Sequence, residues 1–209
     1  MVINNEYFDL YLEIYNSEQS QIPKIRESLN KKFPNSFDHK NYCDSDPFLS
    51  KYIFREKLVL IYAWAVTDPN ALDAIVKATQ DTGIIEIGAG RGYWASILAN
   101  CGVNVVAYDT GKDDYIGSYY PVGNDGTEMV SEHKNRALFL CWPPYDTSMA
   151  YDCVSKYQGN TLIYIGENRG GCNANDDFFN FVSKNFKLDC RIDMAQWKGL
   201  HDDLYIYRR

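Results

Sequence analysis

Apolar residues recur at helical spacing through the opening stretch of the chain. Phe8, Leu10, Tyr11, Leu12 and Ile14 predict a short helix over residues 6–15, and a second helical stretch covers about 22–32. Residues 33–47 read as loop, because Pro34, Asn35, Asp38, Asn41, Asp44 and Pro47 break any regular pattern. Phe54, Leu58, Ile61, Tyr62 and Ala65 then mark a clearer helix with Trp64 beside them. Asp68-Pro69 has the form of an N-cap followed by proline at the first helical position. Leu72, Ile75 and Val76 give that helix one apolar face, and Gly83 supplies its stop.

After Gly83 short apolar runs alternate with helical ones. Residues 84–87 form a β-prone run ending in glycines, 93–100 are helix-like, and 103–108 read as a second buried strand ending at Asp109. Residues 111–126 are turn-rich, with a short strand around 119–122. The apolar run 137–142 is halted by Pro143-Pro144. Then come a helix over 149–157, a strand over 161–165, and a helix over 176–186. Two final strands, near 190–195 and 204–207, flank a polar turn. This alternation predicts an α/β protein with a doubly wound sheet and no internal repeat.

The richest segment is Ile84-Ile85-Glu86-Ile87-Gly88-Ala89-Gly90-Arg91-Gly92-Tyr93-Trp94. A strand turns on three alternating glycines and enters a helix. Glycine suits such a turn because the backbone bends tightly and a ligand approaches without meeting a Cβ. A helix start also offers backbone N–H groups to a polar ligand atom. Asp109, at the tip of the next strand, emerges beside this loop in a βαβ unit, where a carboxylate suits the two hydroxyls of a ribose; the plainer alternative is that it opens a turn. A dinucleotide fingerprint would place its third glycine at position 93, where Tyr93 stands.

The order Glu86-x-Gly88-x-Gly90-x-Gly92 instead resembles the first motif of class I S-adenosylmethionine-dependent methyltransferases. That resemblance implies a Rossmann-like sheet of the methyltransferase type, mostly parallel with an antiparallel last strand. It also implies that Glu86, Gly88, Ala89, Gly90 and Gly92 form the cofactor loop and that Asp109 holds the ribose. Cys141-Trp142-Pro143-Pro144-Tyr145 resembles the Asn/Asp-Pro-Pro-Tyr motif of enzymes that methylate amino groups, with Trp142 in place of the polar residue. Amino-group chemistry is therefore not implied; either the Pro-Pro turn presents Trp142, expected at the cofactor, and Tyr145, a catalytic candidate, at the cleft, or it only ends the strand.

Two further features fall at the same edge of such a sheet. Glu167 follows the strand 161–165 and is either a base, a substrate anchor, or the partner of Arg169 or another arginine. Trp197-Lys198-Gly199-Leu200-His201-Asp202-Asp203-Leu204 lies between the last two strands, and His201 is either a proton acceptor or part of a hydrogen-bonded hairpin loop. His39 and His133 are given no role. From about Tyr52 to Arg209 the chain resembles a group of methyltransferase-like proteins without an assigned substrate. They combine E-I-G-A-G-x-G-Y-W, C-W-P-P-Y and G-L-H-D-D-L-x-x-Y-R-R. The division expected is an N-terminal helical cap over residues 1–66 and an S-adenosylmethionine-binding domain over 67–209.

Composition narrows the partners. A chain of 209 residues holds one domain with a full core. Its net charge of -7 disfavours general nucleic-acid binding and makes a small-molecule acceptor the favoured substrate. The six cysteines show no C-x-x-C pair and no metal-ligand spacing, so no metal is expected. No apolar run is long enough to span a bilayer and no secretory signal is read at the start, which together fit a cytoplasmic protein. Oligomeric state is left open. Two other functions stay in view: a cofactor-binding module without catalysis that acts through a protein partner, and an NAD(P)-linked oxidoreductase. The glycine spacing disfavours the latter, as does the lack of a suitably placed Tyr-x-x-x-Lys pair.

Overall fold

The computed structural model describes residues 4–34, 36, 47–111 and 117–209. Three helices come first: α1 (Glu6–Asn16), α2 (Ile22–Lys32) and α3 (Pro47–Ile61). Asn5 caps α1 by accepting the Phe8 N–H, and its amide also bonds the Thr67 carbonyl, which ties the start of α1 to the chain before the next helix. Helix α4 (Pro69–Thr79) begins as its sequence requires: Asp68 accepts the N–H groups of Asn70 and Ala71, and Pro69 occupies the first turn.

The remainder alternates. Strand β1 (Ile84–Ile87) leads to α5 (Tyr93–Asn100), β2 (Val105–Tyr108), the two-residue β3 (Val122–Gly123) and a 3-10 turn at Thr127–Glu132. Then follow β4 (Ala137–Cys141), α6 (Met149–Lys156), β5 (Thr161–Gly166), α7 (Asp176–Asn185), β6 (Lys187–Asp193) and β7 (Asp203–Arg208). The sheet order is β3-β2-β1-β4-β5-β7-β6. The first five strands pair in parallel, and β7 runs antiparallel to both β5 and β6. This is the Rossmann-like, doubly wound sheet of the class I methyltransferase type, with its reversed strand inserted next to the edge.

Both faces are covered, so the central strands are apolar at every position except Glu86 in β1 and Thr161 at the start of β5. Alternate residues serve opposite cores. Ile84, Phe139 and Ile163 pack with Tyr7, Ile22, Leu58 and Ile75 of the N-terminal helices and α4. Ile85, Leu138 and Tyr164 pack with Val154 of α6 and Phe178 of α7. Helices α1 to α3 therefore share a continuous core with one sheet face. No helix among the described residues is long and apolar enough to cross a membrane.

Some boundaries differ from the pattern-based expectation. Pro47 is the first residue of α3 rather than the end of a loop, and α3 stops at Ile61 although Tyr62, Ala65 and Val66 stay buried. A short irregular segment buried on the sheet carries the same apolar residues that a longer helix would. The early strand lies at Val122–Gly123, at the end of the expected stretch, where it pairs with Ala107 and Tyr108. Strand β6 starts earlier than expected because it is an edge strand whose Lys187, Leu188, Asp189 and Arg191 are exposed, leaving no buried face to read. Most of the loop expected over 33–47, with His39 and Cys43, lies outside the described residues.

Candidate functional site

Strand order reverses at β1, which has β2 on one side and β4 on the other. At the carboxyl ends of these strands a crevice opens, as it does in open α/β sheets generally. A cavity of about 490 Å³ fills it, walled by Glu86, Gly88, Ala89, Gly90, Arg91, Trp94 and Asp109 on one side. Trp142 to Asp146 with Met149 make the second wall, Cys172 and Asn173 the third, and Val59 to Trp64 at the end of α3 the fourth. A second cavity of about 450 Å³ shares Gly88, Asp109, Pro144 and Met149 with the first and extends over Thr110, Asp125 and Ser148. Asp109 stands at the junction of the two.

The glycine loop is locked before any ligand arrives. The Tyr108 carbonyl accepts the N–H groups of Gly88 (2.9 Å) and Ala89 (3.1 Å). Asp109 Oδ2 accepts the Gly90 N–H at 2.7 Å, its Oδ1 accepts the Gly111 N–H at 2.7 Å, and the Ala89 carbonyl accepts the Gly92 N–H at 2.8 Å. The amides of Gly88, Ala89, Gly90 and Gly92 are thus spent on the end of β2, on Asp109 and on the loop itself. Gly88, Gly90 and Gly92 all have positive φ, at 79°, 54° and 73°. Gly92 does not line either cavity. Its Cβ would come within 2.9 Å of Tyr120 Cβ and 3.0 Å of Val122 Cγ2, so it is small for packing against the chain leading into β3.

Glu86 is the odd residue of β1, a carboxylate on an otherwise apolar face and only 2% exposed. Its Oε2 has no hydrogen-bond partner among the described residues. Burial, then the neighbouring Asp109 charge, pushes it up from an ordinary 4.5 to about 8. Trp94, from the first turn of α5, is equally buried, and its indole N–H also lacks a partner among the described residues. One wall of the cavity therefore carries an unpaired acceptor and an unpaired donor. The acidic groups at the cavity are Asp109, Asp146 and the largely protonated Glu86, with the Arg91 side chain beside them. The Arg91 guanidinium donates to the carbonyls of Ile61 (2.8 Å) and Gly117 (3.2 Å) and lies 5.0 Å from the Tyr119 ring.

The opposite wall is built by two left-handed residues. Trp142 has φ 53° and Ala174 φ 50°, a conformation that costs a non-glycine residue about 1–3 kcal/mol. The chain ends they belong to are zipped together: Ala174 donates to the Pro143 carbonyl at 2.9 Å, and Pro144 and Asn173 form a β-bridge. Trp142 donates its backbone N–H to the Ile165 carbonyl and its indole N–H to Asp202 Oδ1, both at 2.8 Å. Its ring stacks on Trp64 at 5.3 Å with an interplanar angle of 14°. The buried Arg55 guanidinium lies 5.7 Å from Trp64 and 5.8 Å from Trp142. Asp202 is buried, its Oδ2 has no partner among the described residues, and burial raises it from 3.8 to about 7.

Glu167 lies behind this wall. It pairs with neither Arg169, whose guanidinium goes to Asp176 and Asn180, nor with another arginine among the described residues. Its Oε2 accepts the Cys172 N–H (2.9 Å) and thiol (3.2 Å), and its Oε1 accepts the His201 N–H (3.0 Å). His201 Nδ1 stands 3.4 Å from the same Oε1, with its ring largely exposed. Burial alone would raise Glu167, but the donors on Cys172 and His201 outweigh it and hold the carboxyl below its usual range. The structure thus brings Glu86, Gly88, Ala89, Gly90, Asp109, Trp142 and the exposed Tyr145 to one cavity. Glu167 and His201 form a separate tie at the same sheet edge.

Missed in the sequence were Trp94, Asn173, Trp64 and Arg55. Asn173 Oδ1 accepts the Glu167 N–H at 2.8 Å, while its Nδ2, also buried, has no partner among the described residues.

No protein-family model and no curated protein sequence matches the chain. Among solved structures, it is similar to magnesium protoporphyrin IX methyltransferase from Synechocystis PCC 6803 with bound SAM. The TM-score is 0.47 at 12% identity, over 93% of this chain and 100% of that one. It is also similar to the methyltransferase domain of bacterial CtHen1-CN (TM-score 0.47, 10% identity, 67% of this chain, 96% of that one). N-methyltransferase NodS from Bradyrhizobium japonicum WM9 is a third (TM-score 0.45, 10% identity, 67% of this chain, 92% of that one). The sheet order and the crevice at β1 define a Rossmann-like domain of the class I methyltransferase type. Its chemistry rests on the cavity and the residues that wall it.

Proposed function

We propose that this chain is an S-adenosylmethionine-dependent methyltransferase acting on a small acceptor. The observation that carries the reading is the buried Glu86 carboxylate, whose Oε2 has no partner among the described residues, at the wall of the cavity beside a glycine loop in which the amides of Gly88, Ala89, Gly90 and Gly92 are already spent. A dinucleotide needs N–H donors and positive charge for its pyrophosphate. Here the donors are used and the charges are mainly carboxylates, which match a cation. S-adenosylmethionine brings a sulfonium and an α-ammonium, and its α-carboxylate suits the unpaired Trp94 N–H.

Glu86 would take the ammonium group, and Gly88, Ala89 and Gly90 would let the thioether arm lie close to the backbone. Asp109 would take the ribose hydroxyls. A carboxylate offers roughly four lone-pair sites, so the hydroxyls can add without releasing Gly90 or Gly111. The second cavity, beyond Asp109, has room for the purine. When bound, the cofactor would supply an electrophilic methyl carbon, with the neutral thioether S-adenosylhomocysteine as the leaving group. The chain's own part is positioning and exclusion of water. Trp142 and Tyr145 would wall the acceptor side; His201, oriented by Glu167, stands outside the cavity lining at the same sheet edge, where it would take up a proton passed out of the cavity. A cavity of about 490 Å³ suits a small molecule.

Calorimetric titration with S-adenosylhomocysteine, NAD and NADP tests the reading. Micromolar binding of S-adenosylhomocysteine alone, weakened in Asp109→Ala and Trp94→Phe, is the expected result. Tighter binding of NAD or NADP would remove it.

A further inference from the structure

The acceptor side of the cavity has a composition of its own. Trp64 is 46% exposed and Tyr145 60% exposed, although both are large aromatics at a cavity wall. Trp64 does not float: it stacks on Trp142, whose left-handed backbone is fixed by Ile165 and whose indole N–H is fixed by Asp202. Arg55 lies beside both rings. Two tryptophans from distant parts of the chain are thus held face to face as one stack, whose half-exposed Trp64 offers a flat aromatic surface at the cavity wall. A strained backbone and a buried aspartate support that surface, which a mere plug of the crevice would not need.

The polar groups on this side are nearly all spent. The Trp142 indole N–H goes to Asp202, the Cys172 thiol to Glu167, and Asn173 Oδ1 receives the Glu167 N–H. What is left at the cavity wall is Asn173 Nδ2, an amide donor on a residue 1% exposed, without a partner among the described residues; Asp202 Oδ2, also without one, does not line the cavity. A donor calls for an acceptor atom on the ligand, because an unmet buried N–H is costly. The carboxylates of Asp109 and Asp146 repel an anion, and a bound sulfonium would repel a second cation. A neutral ring meets neither penalty and gains from stacking on tryptophan.

We infer that the methyl acceptor is a flat, uncharged aromatic compound bearing an oxygen, with its ring on the Trp64–Trp142 surface and its oxygen accepting the Asn173 amide. The inference rests on the methyltransferase reading for calling this ligand an acceptor; the ring site itself is read from the cavity.

The test uses 2-naphthol and its saturated, non-planar counterpart decahydro-2-naphthol. Each is titrated calorimetrically into the full chain with and without saturating S-adenosylhomocysteine. 2-Naphthol is expected to bind at least tenfold more tightly than the saturated alcohol. Trp64→Leu should erase that difference, and Trp64→Phe, which keeps a flat ring, should retain most of it. Asn173→Asp preserves the acceptor for the Glu167 N–H and removes the donor; it should weaken 2-naphthol at least fivefold. Equal binding of the two alcohols, no binding of either, or indifference to Trp64→Leu would overturn the inference. S-adenosylhomocysteine titrated into the same samples reports separately on the cofactor. Its failure to bind, with naphthol discrimination intact, removes the methyltransferase reading and leaves the ring site standing.

Discussion

Asp109 grips Gly90: the carboxylate at the end of β2 accepts the Gly90 amide at 2.7 Å, across the turn that separates β1 from α5. The same carboxylate holds the Gly111 amide at 2.7 Å, so one side chain fixes the glycine loop and the exit of β2 together. Hydrogen bonds to a charged acceptor contribute about 1.5–3 kcal/mol each. Asp109→Ala should therefore lower the melting temperature measurably and weaken S-adenosylhomocysteine at least tenfold. Asp109→Asn keeps an acceptor oxygen and should fall between the two in both measurements. Unchanged cofactor affinity in the alanine variant would show that Asp109 serves the loop alone.

Glu86 sets a pH dependence whose sign is fixed by burial. Its folded value of about 8 lies above the ordinary 4.5, so the folded chain holds a proton there that the unfolded chain releases. Its contribution to stability is most favourable below pH 4.5 and declines as pH rises through the window from 4.5 to 8. Glu86→Gln mimics the protonated form and should flatten that part of the profile in thermal melts at a series of pH values. Cofactor binding should show the opposite trend. A cationic amine favours ionised Glu86, so S-adenosylhomocysteine should bind more tightly at pH 8 than at pH 6, with proton release detectable by calorimetry in buffers of different ionisation enthalpy. Glu86→Gln should abolish the release.

The parts of this site that were legible in the sequence are those written in local pattern. Ile84 to Ile87 is apolar because both faces of β1 are covered, and the glycine spacing after it is a backbone requirement that only glycine meets without strain. Glu86 entered through the resemblance of the glycine motif and not through the apolar run itself. The use of the loop amides was not legible. A helix start suggests free N–H groups, but the parallel pairing of β1 with β2 runs on past Ile87, and the Tyr108 carbonyl takes two of them. Nor could the partner of Glu167 be read, since Arg169 is near in sequence while His201 and Cys172 are near in space. The unpaired atoms of Trp94 and Asn173 are facts about what surrounds them, and no spacing encodes that.

Glu167 joins the loop after β5 to the turn before β7 through the Cys172 and His201 amides. Removing it leaves those two part-buried N–H groups without their acceptor, at about 1–3 kcal/mol for each. Glu167→Ala should lose roughly 5–15 °C in melting temperature for a chain of this length. Because these donors hold the carboxyl below its ordinary 4.5, its stabilisation is full above that value and is lost as pH falls through the folded one. The gap between the native protein and Glu167→Ala should therefore close on acidification below about 4.5 and stay constant at neutral pH. His201→Ala removes an exposed ring and keeps the backbone N–H, so its melting temperature should stay within about 2 °C while methyl transfer slows. If His201→Ala destabilises as much as Glu167→Ala, the ring is structural and the proton-acceptor role falls.

Asp202 separates the hydrogen bond to Trp142 from the charge that makes it. Its Oδ1 accepts the indole N–H at 2.8 Å, but Oδ2 is buried without a partner among the described residues, and burial lifts the group from 3.8 to about 7. A raised carboxyl stabilises the fold least when ionised, so its contribution declines between about pH 4 and 7 and is lowest above that window. Asp202→Asn retains an oxygen for the indole and discards the charge. It should gain at least about 1 kcal/mol over the native protein at pH 8, ~2–4 °C in melting temperature, with the gain vanishing at pH 4. Asp202→Leu removes the bond as well and frees the Trp142 indole, while the Ile165 carbonyl still holds its backbone. It should lose 2-naphthol binding even where it melts no earlier than the native protein, because the Trp64–Trp142 stack then has no fixed orientation. Equal naphthol affinity in Asp202→Asn and Asp202→Leu would show that Arg55 and Trp64 alone hold the indole in place.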